Sequence, residues 1–175
     1  MIGYMSIEEQ VDADFTRAFR RAFVHRVGAR LRGDPSSSRA SSFEEAAKTL
    51  GARNKVPLGR RVVAVDKVVG SVGRFKDFDK DFLPVRRSLR DRWKSVDRAF
   101  HLGVDLPPVV LYELGGLYYV VDGNHRVSVA RYQGVEWIEA EVTQLYARTP
   151  AARIGPVGAN SVARSPEKVP RRIAA

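Results

Sequence analysis

Val109-Val110-Leu111-Tyr112-Glu113-Leu114-Gly115-Gly116-Leu117-Tyr118-Tyr119-Val120-Val121-Asp122-Gly123-Asn124-His125-Arg126 spells a hairpin followed by the start of a helix. Residues 109–114 and 117–121 are β-branched and aromatic runs, and the Gly-Gly pair between them is the spacing of a two-residue hairpin. Asp122-Gly123 then turns the chain into a helix expected from about Asn124 to Gln133, with Gly134 as its stop. The first N–H groups of such a helix lack internal partners and have the positive end of the dipole behind them, which makes an anion site. Gly123 lets a phosphate approach the backbone, Asn124 and His125 add donors, and Arg126 adds a fixed charge able to bind two phosphate oxygens. The plainer alternative is structural: Asp122 stabilises the turn and Arg126 pairs with an acid. His125 beside phosphates is a donor or a general acid or base, so the candidate catalytic groups are Asp122 and His125.

Downstream, Ile138, Ala140 and Val142 alternate with Glu139 and Glu141, which predicts a last strand over 135–142. Upstream, Pro84 opens an expected helix to Gly103, because Val85, Leu89, Trp93, Val96 and Phe100 recur every three or four residues. Its outer face carries Arg86, Arg87, Arg90, Lys94 and Arg98, a candidate nucleic-acid contact. Trp93 and Trp137 are expected in the core by their spacing. Val62 to Val65 predicts a short buried strand, with Asp66 capping a helical turn to Gly70. The loop from Ser71 to Phe82 is of the kind that lines sites, and it holds Arg74, Asp77, Asp79 and Asp81. From Ser6 to about Leu31 the spacing of Ile7, Val11, Phe15, Ala18, Ala22 and Phe23 predicts an amphipathic helix, with Ser6 and Glu9 as a capping box. Acids in its first half and arginines in its second suit the helix dipole. A flexible linker is expected over residues 33–42, then a short helix from Phe43 to Leu50. His25 and His101 fall at helix ends, where capping is the simple reading.

With 175 residues and 44% hydrophobic composition there is room for one domain with a proper core. No apolar run approaches the about 20 residues that span a bilayer, and residues 1–10 lack a signal-peptide pattern, so a soluble, cytoplasmic protein is expected. The absence of cysteine excludes disulfides, thiolate metal sites and cysteine nucleophiles. No metal cage is indicated. The net charge of +10 is uneven: residues 51–98 carry 14 basic and 6 acidic side chains, residues 99–146 carry 2 and 6, and residues 147–175 carry 6 and 1. Such an asymmetry favours a polyanion, and weak, sequence-independent DNA binding is expected from the basic helix and a disordered tail at 147–175.

The order Leu106-Pro107-Pro108-Val109-Val110, hairpin, Asp122-Gly123-Asn124-His125-Arg126-Val127-Ser128-Val129-Ala130 and strand resembles the ParB N-terminal/sulfiredoxin-like superfamily over about residues 60–145. The resemblance implies an α/β (α+β) fold, a small mixed sheet with flanking helices. The division it suggests is an N-terminal helical extension and linker (1–50), a ParB/sulfiredoxin-like domain (51–146) and a tail (147–175). It also implies that Gly123, Asn124, His125 and Arg126 hold nucleotide phosphates, with Arg74 where members often place a basic residue facing the pocket. Asn124 stands where sulfiredoxins have their cysteine, which excludes sulfinic-acid reduction. The Gly-Glu-Arg-Arg turn and helix-turn-helix domain of chromosome-partitioning members are absent. Free-serine kinases of this fold carry an Asp-Gly-His-Thr-Arg turn, which Asp122 to Arg126 resembles at both ends, although their catalytic acid has no clear match.

The leading expectation is therefore a nucleotide-binding module, a nucleotide-gated switch or weak NTPase, with ATP or CTP as ligand and Mg²⁺ arriving with it. The alternatives are an ATP- or ADP-dependent small-molecule kinase and a DNA-binding or nuclease-like protein. The N-terminal helix is expected to fold back on its own domain or to pair with a second copy as a homodimer.

Overall fold

The computed structural model describes residues 5–147, so all of the expected tail but Ala147 lies outside the described residues. In chain order the elements are α1 (Ile7–Leu31), β1 (Ser41–Ser42), α2 (Phe43–Thr49), β2 (Ala52–Ala64), β3 (Val68–Ser71), α3 (Arg90–His101), β4 (Val109–Leu114), β5 (Leu117–Asp122), α4 (Asn124–Tyr132) and β6 (Trp137–Ala147). The fold is mixed α/β, with one six-stranded sheet in the order β1-β3-β5-β4-β6-β2. β4 and β5 form the expected antiparallel hairpin across Gly115-Gly116, and β3 and β6 flank it in parallel, β3 beside β5 and β6 beside β4.

Alternation along the strands sends side chains to two faces. Val109, Leu111, Val120, Ala140 and Val142 meet Val127 of α4 and Phe78 and Phe82 of the loop after β3. On the other face Leu114, Tyr119 and Leu145 pack against Phe43, Ala46 and Ala47 of α2. A third cluster lies among the helices, where Phe15, Ala18 and Ala22 of α1 close on Trp93 of α3 and Val129 of α4. The buried Trp93 indole N–H donates to Ser128 Oγ at 2.9 Å, which ties α3 to α4. The Ser6–Glu9 capping box that starts α1 is present. No described helix is long and apolar enough to cross a membrane.

Several local expectations are corrected. The strand expected at 62–65 is the end of the thirteen-residue β2, an edge strand held by pairing with β6; exposed Arg and Lys, Pro57 and a register shift at Pro57/Gly59 hide it from a periodicity search. The helical turn expected from Asp66 to Gly70 stops after one 3₁₀ turn, Val65–Lys67, and the chain continues as β3. The helix expected from Pro84 starts at Arg90, after a 3₁₀ turn at Arg87–Leu89, because Pro84 makes a β-bridge with Phe78 instead. β6 runs to Ala147 rather than to Val142, as β2 supplies a partner for its extra length. The segment expected to be a flexible linker forms a 3₁₀ turn at Pro35–Ser38 and then β1, parallel to β3. Trp137, expected in the core, is 59% exposed at the start of β6, and Phe23 of α1 is exposed as well.

The histidines do not cap helices. His25 Nδ1 lies 2.8 Å from the fully buried Asp79 carboxylate and 3.3 Å from Asp81. Asp79 also accepts the backbone N–H groups of Asp81 and Leu83, and so pins the loop that burial would otherwise leave unsupported. Burial pushes the Asp79 carboxyl above its ordinary value, against these hydrogen bonds. His101 faces Asp14 of α1 and Asp97.

Candidate functional site

Gly123 follows β5 at φ +98° and serves as N-cap of α4. A Cβ there would lie 2.7 Å from Val109 Cγ1 and 3.0 Å from Arg126 Nε, so both conformation and space require glycine. No side chain caps α4, and the first backbone bond of the turn runs from Val127 N–H to the Gly123 carbonyl. The N–H groups of Asn124, His125 and Arg126 therefore precede the helix's own ladder.

Around this N-terminus lies a cavity of about 390 Å³ lined by Arg74, Ser88, Arg92, Asn124, His125 and Arg126, among others. It brings together every residue expected to bind phosphate. Asn124 and His125 are 6% and 9% exposed, and Asn124 Oδ1 and His125 Nδ1 have no hydrogen-bond partner among the described residues. The His125 ring stands edge-on to Phe78, with centroids 5.8 Å apart. Burial first, and then the charges of Arg74 and Arg92, push its pKa down to about 4. At pH 7 it is a neutral imidazole with one N–H to offer, in a positive field.

The three arginines differ. Arg126 donates to the Pro107 carbonyl, to the Pro108 carbonyl at 2.8 Å and to Asp122 at 2.7 Å, with its side chain 14% exposed. Its guanidinium locks the Pro-Pro segment and the turn together, the structural alternative raised by the sequence. Asp122, a candidate catalytic group, is exposed and held by that arginine. Arg74 is exposed and shares Asp77 with Arg86. Arg92 is exposed and makes no ion pair with any described residue. The sequence reading omits Arg92. Its signal was the four-residue step to Val96, another wall of the cavity, but nothing in the sequence says that this face of α3 covers the turn. Arg131 points away from the cavity, donating to the carbonyls of Asp66 and Val68 at 3.0 Å each.

A second cavity of about 700 Å³, lined by Phe100, Leu106, Trp137 and Ile138, lies on the other side of Arg126, which walls both. Four of the five basic residues expected to touch nucleic acid pair with acids of the protein. Arg90 and Lys94 reach Asp12 of α1 at 3.0 and 2.5 Å, and Arg98 makes a two-pronged contact with Glu8. Arg86 pairs with Asp77, and Arg87 makes no ion pair with the described residues.

No family model matches this chain, and no curated protein matches it. Among solved structures it is similar to the crystal structure of sulfiredoxin from Arabidopsis thaliana, with 16% identity, a TM-score of 0.35, and coverage of 51% of this chain and 84% of that chain.

Proposed function

We propose that the N-terminus of α4 binds the phosphates of a nucleotide, ATP or CTP, with Mg²⁺ bound to the nucleotide rather than to a protein cage. One observation carries the reading: unpartnered helix N–H groups, the buried neutral His125 and the exposed Arg74 and Arg92 all border one cavity. Polyphosphate is the anion that suits several donors and two separated cations at once. The resemblance of Asp122 to Arg126 to a nucleotide-binding turn agrees with it. In this reading Gly123 admits the phosphate, Asn124 and His125 donate, Arg74 and Arg92 supply charge, and Arg126 holds the turn in shape.

Calorimetry with ATP, ADP, CTP and GTP is the direct test, and absence of binding to all four overturns the reading. Arg92→Ala is expected to weaken the best ligand about tenfold, some 1.4 kcal/mol, with the melting temperature unchanged. Arg126→Ala is expected to lower stability by about 2 kcal/mol, since it leaves the Pro107 and Pro108 carbonyls without their donor. Unchanged affinity in Arg92→Ala would remove this residue from the site.

A further inference from the structure

At the opposite end of α4 a second group of polar residues is buried between α1 and α3, and the nucleotide reading makes no use of it. Asp14 is 6% exposed, Asp97 is fully buried, and the His101 side chain is 16% exposed. One ligand-capable atom from each lies within 4.8 Å of the others. His101 Nε2 is 3.0 Å from Asp14 Oδ2 and 3.6 Å from Asp97 Oδ2.

The outward atom of each residue is anchored. Tyr132 O–H donates to Asp14 Oδ1 at 2.8 Å, with Arg17 at 3.3 Å, and the Gln133 amide donates to Asp97 Oδ1 at 2.8 Å. The Gln10 amide lies 3.3 Å from His101 Nδ1, and with its oxygen turned to the ring it accepts the Nδ1–H, which leaves the Nε2 lone pair for an ion. Each ligand thus turns one atom inward while a neighbour holds the other, the arrangement that orients metal ligands. Asp97 Oδ2 has no hydrogen-bond partner among the described residues, although it is buried and directed at the cluster. A carboxylate oxygen left so is costly unless a proton or a cation meets it. Among the described residues the one guanidinium in contact, that of Arg17, touches Asp14 only and is 63% exposed.

We propose that Asp14, Asp97 and His101 bind one divalent ion of the zinc type. Bonds of about 2.0–2.1 Å in a tetrahedron set ligand atoms about 3.3 Å apart, and the observed 3.0 and 3.6 Å bracket that edge. One imidazole with two carboxylates suits Zn²⁺ rather than Mg²⁺ or Ca²⁺, which take oxygen donors. Water fills the fourth position from the partly exposed His101 side. The Gln133 amide, 3.3 Å from His101 Nε2, turns toward Asp97 alone when the ion enters. The second trio, His25, Asp79 and Asp81, makes a control, because the Asp79 oxygens already have hydrogen-bond partners.

The test uses the full chain, stripped with chelator and titrated with Zn²⁺ alone. One equivalent is expected to bind and to raise the melting temperature, and Co²⁺ in its place is expected to give the intense visible bands of a four-coordinate site. Asp97→Asn, close in shape, is expected to weaken Zn²⁺ at least tenfold with an unchanged far-ultraviolet dichroism spectrum, whereas His25→Gln leaves it alone. Absence of Zn²⁺ uptake or of the Co²⁺ bands in the unmodified protein overturns the proposal, and neither measurement depends on a variant folding. Retained affinity in a folded Asp97→Asn, or loss confined to His25→Gln, overturns it equally.

Discussion

His125 is neutral at pH 7 because Gly123 starts α4 at a point where the next residue but one packs its ring against Phe78, within the field of Arg74 and Arg92. Its pKa falls from 6.5 to about 4 on folding. Above pH 6.5 neither state binds the proton, and the group's contribution to stability is complete. Between pH 6.5 and about 4 the unfolded chain takes up a proton that the native ring refuses, so stability falls as pH falls through that window. Allowing for solvent screening, the effect is about 2 kcal/mol. Denaturant melts at several pH values, compared between the native sequence and His125→Gln, isolate it from the carboxylates that titrate nearby. The variant is expected to lose less stability over this range. Parallel curves would mean that the ring sits in no such field. A bound polyphosphate reverses the local charge, so saturating nucleotide is expected to raise the His125 pKa, which an NMR titration of the ring protons reads directly.

β3 is the element that composition concealed most completely, although it carries the loop that shapes the site. Val68-Val69-Gly70-Ser71 is four residues long and follows a turn, so it offers neither a period nor a hydrophobic run of useful length. Gly70 is what makes it a strand here: a Cβ would lie 2.3 Å from the Ser41 carbonyl oxygen and 2.6 Å from the Tyr119 ring. Gly70→Ala is expected to push β1 off the sheet edge and to destabilise the protein by about 2 kcal/mol, with amide exchange rising first around Ser41 and Ser42. Exchange unchanged at those two amides would show that the edge yields without strain. The hairpin and the start of α4 were legible because their signals are local: β-branched runs, a Gly-Gly turn and a Gly at a helix start. The start of α3 was not, since Val85 and Leu89 keep helical spacing while Pro84 bridges to Phe78 across the loop. The same division runs through the site. Residues 122–126 announce themselves within one turn of chain, whereas Arg92 enters it by tertiary packing.

Across the whole molecule, α1 decides whether the chain behaves as a sheet domain with an appendage or as one cooperative body. On its buried face Phe15, Ala18 and Ala22 meet Trp93 and Val129, and its acids Glu8 and Asp12 meet Arg98, Arg90 and Lys94 on α3. The exposed ion pairs add little stability and chiefly set the register between the two helices. The apolar contacts carry the energy. Phe15 is 5% exposed, with its ring edge-on to Trp93 at 5.7 Å, so Phe15→Ala is expected to cost about 3–5 kcal/mol. If α1, α3 and the sheet unfold together, that loss lowers one shared transition rather than melting α1 alone. Far-ultraviolet dichroism, which weights the long α1, and near-ultraviolet dichroism of the packed aromatic rings are expected to give coincident denaturation curves, both moved to the same lower midpoint by Phe15→Ala. Should the variant lose helical signal at low denaturant while the aromatic signal holds, α1 is a separable layer. Arg92 would then keep its place over the Gly123 turn without it, through the Trp93–Ser128 hydrogen bond.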